Sequence, residues 1–288
     1  APSGPKRVQL FMLATALALI TGVLFALLRD RLGAASGFVS ALALEAATGL
    51  PVIGALPKLR RGLEEASPAD IRFFHRETIN HIRATLQFGG PQYQAAVVLV
   101  TSSVPREGKS HVAEALAASV TARGGRALLI HCNQPTEKID DLAAGAGVPV
   151  GRAGDETNRR LAVIETSAGL HIGRLRPLGS DTRAVPSLRM ARDELLGLRD
   201  QYDIIVLDGP SVIGCANAEL LCNAVDGVLL VVRSAETTRG VILAALRILQ
   251  IYGIRTIGAV LNNVDMRQLA RSGSDLAEFY NSYAADAA

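Results

Sequence analysis

Gly108-Lys109-Ser110 closes the stretch VTSSVPREGKSH and follows directly on the apolar run Ala95–Thr101. A glycine, a lysine and a hydroxyl in that order, between a buried strand and a helix, suit a phosphate group. Backbone N–H groups at a helix N-terminus point at an anion, and the helix dipole favours negative charge there. A lysine at this place reaches β- and γ-phosphates, and the serine hydroxyl ligates Mg²⁺. The strict pattern GxxxxGK[ST] asks for glycine where Ser103 stands, so it fails by one position. The setting after a strand and before a helix still carries the reading. Ser103, Val104, Pro105, Arg106, Glu107, Gly108, Lys109, Ser110 and His111 form the candidate nucleotide-binding segment, with Ser110 a candidate metal ligand.

The elements that must hold this loop are legible as apolar runs separated by helical stretches. The runs are Ala95–Thr101, Arg126–His131, Asp203–Asp208, Gly227–Arg233 and Thr256–Asn262, with Leu170–Leu175 a weaker sixth. Near-continuous β-branched runs mean strands buried on both faces, hence a mostly parallel sheet covered by helices. Helices are expected near Lys109–Arg123, Ser187–Arg199, Ala216–Asn223 and Thr237–Tyr252, and Gly145–Gly154 reads as a loop. Ser67 as N-cap and Pro68 at the first helical position open another helix, running through Phe88. The fold class is α/β, a doubly wound sheet of the P-loop NTPase type.

The chain has 288 residues, of which 49% are hydrophobic and 20% charged, and this excludes a disordered or coiled-coil protein. A formal net charge of +3 gives no dense basic face, so nucleic acid is not an expected partner. Cys132, Cys215 and Cys222 are odd in number and without CxxC spacing, which reads as reduced and structural. From Val8 to Leu28 no charge interrupts the chain. As a helix that segment covers about 31 Å, the thickness of a bilayer's hydrocarbon layer. A buried core helix would carry a polar stripe, whereas Gln9, Thr15 and Thr21 are too sparse to make one. A signal peptide's apolar region would span only about 7–15 residues. The segment reads as a transmembrane helix, with Lys6 and Arg7 before it balanced by Arg29 and Arg31 after it.

With these motifs in place the chain resembles the bacterial tyrosine autokinases attached to polysaccharide co-polymerases. VTSSVPREGKS is similar to that family's phosphate loop and YDIIVLDGP (Tyr202–Pro210) to its Walker B strand, which makes Asp208 a candidate catalytic residue and metal ligand alongside the catalytic candidate Lys109. VDGVLLVVRSAETTRG and GAVLNNVD resemble its later strands, with Asn262 near the expected adenine contact. TGLPVIGALPKL resembles the segment between its second membrane helix and its kinase domain, and Pro2–Lys6 the end of its periplasmic domain. The resemblance implies ATP and Mg²⁺ as cofactors, a homo-oligomer, and partners in the polysaccharide polymerase and export machinery. It places the chain in a bacterial inner membrane with the nucleotide-binding domain cytoplasmic, in exopolysaccharide or capsule chain-length control and export. The organisation expected is a tail and membrane helix over 1–31, a linker over 32–68, the kinase-like domain over 69–270 and a C-terminal tail over 271–288. A periplasmic domain and first membrane helix would precede it.

The departures from the family pattern bear on catalysis. Its D-x-D after the second strand is His131-Cys132-Asn133 here, and a further Asp after Walker B is replaced at Asn217. Mg²⁺ favours hard oxygen ligands, and a general base must reach the proton it takes. The asparagines lack the charge and basicity of carboxylates, so phosphotransfer is expected to be weakened or lost. In the family's E-x-x-R-x-x-R motif Glu77 and Arg83 remain, but Asn80 replaces the first arginine. Its tyrosine-rich tail is reduced to Tyr280 and Tyr283, the phosphoacceptor candidates. An active autokinase is the alternative. A Min/Par-type positioning ATPase would carry a second lysine at the place of Val104 and no N-terminal membrane helix.

Overall fold

The computed structural model describes residues 11–23, 37–59, 69–88, 96–132, 148–149, 161–166, 168–175, 195, 197–214 and 225–266. Among the described residues nine strands form one sheet: β1 (Val52–Pro57), β2 (Val97–Ser102), β3 (Ala127–His131), β4 (Val148–Pro149), β5 (Leu161–Glu165), β6 (His171–Leu175), β7 (Ile204–Asp208), β8 (Gly227–Arg233) and β9 (Thr256–Val264). Their order is β1-β9-β8-β2-β7-β3-β6-β5-β4. Pairing is parallel from β1 to β6 and antiparallel for β6–β5 and β5–β4. From β2 the chain crosses one way to β3, and from β7 it crosses the other way to β8. The reversal opens a crevice at the carboxyl ends of β2 and β7, the usual ligand position in such sheets.

The helices are α1 (residues 11–23), α2 (Ala41–Thr48), α3 (Ala69–Phe88), α4 (Lys109–Thr121) and α5 (Arg239–Ile251). Strand alternation divides the core between the two faces of the sheet. Val98, Val100, Leu129, Ile204 and Val206 pack with Val112 and Leu116 of α4 and with Ile79 and Ile82 of α3. Val97, Leu99, Ile205 and Leu207 face the other way, against Ala245 and Leu249 of α5. β2 and β7 are buried along their whole length, which is why they read as unbroken apolar runs.

Three strands depart from the sequence expectation. Residues 52–57, placed in a linker, form edge strand β1, which pairs with β9. Gly54 and Pro57 dilute its β-branched pattern, and Gly54 is there because a Cβ would come within 2.6 Å of Ile82 Cδ1 on α3. β4 lies inside the stretch read as a loop, and β5 precedes the Thr166–Leu170 turn that returns the chain into β6. The helices expected at Ser187–Arg199 and Ala216–Asn223 lie wholly or mainly outside the described residues, as do Ser67 and Pro68. The apolar segment Val8–Leu28 is described only over α1, whose residues are all exposed. Among the described residues no helix is long and apolar enough to cross a membrane.

Candidate functional site

β2 delivers the chain into the crevice, and residues 103–108 turn it into α4, whose first residue is Lys109 and second Ser110. Val112 N–H donates to Gly108 O, so the amides before it have no acceptor within the helix. The left-handed residues of the turn are Arg106 (φ +70°) and Gly108 (φ +91°). Ser103, where the strict pattern wants glycine, needs no such geometry. It is fully buried, its carbonyl accepts from Ile213 N–H at 3.0 Å, and its hydroxyl has no partner.

Glu107 braces the turn from inside. It is 2% exposed, and its carboxylate accepts from Val104 N–H at 2.8 Å, from Arg233 N–H at 3.3 Å and from the Thr237 hydroxyl. Burial pushes its carboxyl above the ordinary value, while those donors pull the other way. Arg233 adds a guanidinium bond to Arg106 O at 3.0 Å. Glu107 thus ties the motif to β8 and to the turn after it, a role that the motif reading did not assign. Asn262, expected near the adenine contact, donates its amide to Glu107 O at 2.9 Å and so also holds the loop. A cavity of about 240 Å³ opens alongside, bounded by Arg106, Gly108, His111, Arg233, Asn262 and Asn263.

Beneath the start of α4, β7 ends at Asp208, 1% exposed. Its Oδ2 lies 3.2 Å from His131 Nδ1, and its Oδ1 is buried without a partner. An orphaned anionic oxygen close to a phosphate loop fits a Mg²⁺ requirement. Among the described residues no three His, Cys, Asp or Glu side chains converge to hold a metal ion by themselves. Ser110 and Asp208 would therefore hold the ion together with phosphate oxygens, the usual arrangement for Mg²⁺.

His111 also reaches back to α3, with its Nε2 3.1 Å from Nε2 of His75. Burial, with His111 as a second cause, brings the His75 imidazole down to about 4. Glu77 and Arg83 make contacts along their own helix: Asn80 Nδ2 donates to Glu77 Oε1 at 3.1 Å and Arg83 Nη1 to Gln87 Oε1 at 2.8 Å. The structure thus brings together the phosphate loop, His131, Asp208 and Asn262. Asn133, Asn217, Tyr280 and Tyr283 lie outside the described residues.

No protein-family model matches the chain. The putative tyrosine-protein kinase EpsB of Ralstonia nicotianae is 26% identical over 286 residues, which cover 92% of this chain and 37% of that protein. The tyrosine-protein kinase YwqD of Bacillus subtilis is 24% identical over 68% of this chain and 84% of its own length. The succinoglycan biosynthesis transport protein ExoP of Rhizobium meliloti is 26% identical over 65% of this chain and 25% of its own. The chain therefore spans well under half of the EpsB and ExoP proteins. Among solved structures, the kinase domain of the Escherichia coli tyrosine kinase ETK superposes with a TM-score of 0.62 at 19% identity, over 79% of this chain and 95% of that domain. The BceF tyrosine kinase domain gives 0.59 at 22%, over 79% and 99%. The two solved structures share the fold of this chain. The chain is thus similar in sequence to bacterial tyrosine-protein kinases and shares the fold of their kinase domains.

Proposed function

We propose that this chain is a membrane-anchored, ATP-binding, tyrosine-kinase-like module that serves exopolysaccharide or capsule assembly and transfers phosphate weakly or not at all. The observation that carries it is the phosphate loop on α4 standing over Asp208, with a histidine as the nearest side-chain partner of that carboxylate. Amides at the start of α4 and the Lys109 ammonium bind the phosphates, and the cavity at Asn262 and Asn263 receives the rest of the nucleotide. Ser110 and Asp208 hold Mg²⁺, which when bound neutralises phosphate charge. Glu107 and Asn262 keep the loop in its bound shape before ligand arrives.

The names of the relatives support the pathway, with ExoP described as a succinoglycan biosynthesis transport protein and EpsB and YwqD as tyrosine-protein kinases. The apolar segment Val8–Leu28 supports an inner-membrane anchor with the kinase-like domain in the cytoplasm, where ATP is. A homo-oligomer working beside the polysaccharide polymerase and exporter is part of the same proposal. The weakness of phosphotransfer follows from the replaced carboxylates at His131, Asn133 and Asn217. Loss of one positioned base typically costs about 10²–10⁴ in rate.

A nucleotide titration read beside an autophosphorylation assay tests this. Binding is expected, is lost in Lys109→Ala, and is accompanied by no measurable label on Tyr280 or Tyr283. Lys109-dependent labelling of either tyrosine shows an active autokinase, and equal affinity in wild type and Lys109→Ala removes the phosphate site altogether.

A further inference from the structure

Strand alternation sends two buried polar side chains to one place. Ile204 and Val206 pack on the α4 face of the sheet, so Asp208, two residues on, points the same way. Ala127 and Leu129 of β3 do the same for His131. The two strands run in register, with His131 paired to Asp208. Their side chains are 3% and 2% exposed, and Nδ1 of His131 lies 3.2 Å from Oδ2 of Asp208. Among the described residues no donor satisfies Oδ1.

We propose that His131 is a positioning residue for Asp208: its Nδ1–H holds Oδ2 and leaves Oδ1 as the carboxylate oxygen available to the cation side of a bound nucleotide. The inference rests on the nucleotide-site reading above and adds to it a residue that sets how strongly Mg²⁺ strengthens binding.

The terminal torsion of an aspartate is broad and roughly two-fold, so a carboxylate with no donor turns freely. One N–H on one oxygen fixes its plane. A neutral imidazole suffices, because one ring nitrogen is then a donor. A second carboxylate at position 131 would act in the opposite sense. Two like charges on paired residues repel until a cation lies between them. With histidine the pair is complete before any cation arrives, and the arrangement of Asp208 is built into the protein. Partners of this kind around a metal ligand commonly change metal affinity by about 10–100-fold when removed.

The test uses the full chain in detergent, titrated with ADP and with ATP, once in Mg²⁺ and once in EDTA. The quantity read is the ratio of the two dissociation constants. In His131→Ala that ratio is expected to fall about tenfold. His131→Asn, which offers an amide N–H on a shorter side chain, restores most of it, and His131→Leu does not. A purely structural role would make Asn and Leu alike, so equal ratios in those two variants overturn the proposal even where the alanine variant does not fold. A wild-type ratio retained within about twofold in His131→Ala overturns it as well. If wild type binds neither nucleotide in either condition, the nucleotide-site reading itself fails and takes this proposal with it.

Discussion

Asn262 Nδ2 donates to the backbone carbonyl of Glu107 at 2.9 Å, reaching from β9 into the turn that precedes α4. The bond ties the strand two places from β2 to the loop that β2 delivers, so the phosphate loop is held from the β8–β9 side of the sheet. It also explains the residue beside it. A Cβ on Gly108 would stand 2.1 Å from that same amide nitrogen.

Gly108→Ala should therefore damage the loop twice, through the clash with Asn262 and through a left-handed φ of +91°. The expected cost is about 2–4 kcal/mol in urea unfolding, with a loss of nucleotide affinity of tenfold or more. Adding Asn262→Ala removes the clash and leaves the backbone strain, so the double variant should regain only part of the loss. Full recovery in the double variant would show that φ does not matter here.

Glu107→Ala leaves the amides of Val104 and Arg233 and the Thr237 hydroxyl without their buried acceptor. About 3 kcal/mol of destabilisation is expected, since stranded buried donors cost about 1–3 kcal/mol each and the cavity readjusts in part. Glu107→Gln keeps one accepting oxygen and should lose roughly half as much. Equal, small losses for the two variants would mean that water replaces the carboxylate and that the brace is not structural.

The sheet core and the loop were legible because burial on both faces writes itself as unbroken apolar runs. Val97–Ser102 and Gly227–Arg233 fall almost where the sequence puts them. β1 was hidden because its packing against α3 demands Gly54, and a glycine weakens the strand signal that the rest of the segment carries. β5 is short, and its antiparallel pairing with β6 depends on a turn that no strong Gly-Asn or Gly-Asp pair announces. At the site, the GKS motif named the loop, but nothing in spacing could show that Glu107 turns inward or that Asn262 binds a carbonyl. Those facts come from strands far apart in sequence meeting at one crevice.

Ser103 and Arg106 show where the loop differs from the strict motif in physical terms. The left-handed turn residue is Arg106, so placing glycine at Ser103 supplies freedom that is not needed. Ser103→Gly should leave nucleotide affinity within about threefold of wild type, whereas Arg106→Gly should stabilise the fold by roughly 0.5–1 kcal/mol by removing a strained φ. Thermal melts of the two variants decide it. A stabilised Ser103→Gly beside an unchanged Arg106→Gly would reverse the assignment of strain.

His75 makes stability depend on pH in a stated direction. Its imidazole titrates at about 4 in the folded protein against 6.5 when exposed, because burial and the neighbouring His111 both disfavour the charged form. The unfolded chain then binds more protons than the folded one between those values, so stability rises with pH across that window. It is complete above about pH 6.5 and is lost as pH falls toward 4. The loss contributed by this group amounts to about 2 kcal/mol by pH 5. The 3.1 Å contact with His111 leaves one ring as donor and the other as acceptor, an arrangement that two charged rings cannot keep. His75→Gln keeps a hydrogen-bonding group facing His111 and removes the titration. Urea midpoints at pH 7.5 and pH 5 should then differ by about 2 kcal/mol less in the variant than in wild type. Parallel losses in the two proteins would show that His75 accepts its proton without cost and that α3 and α4 are not coupled through this pair.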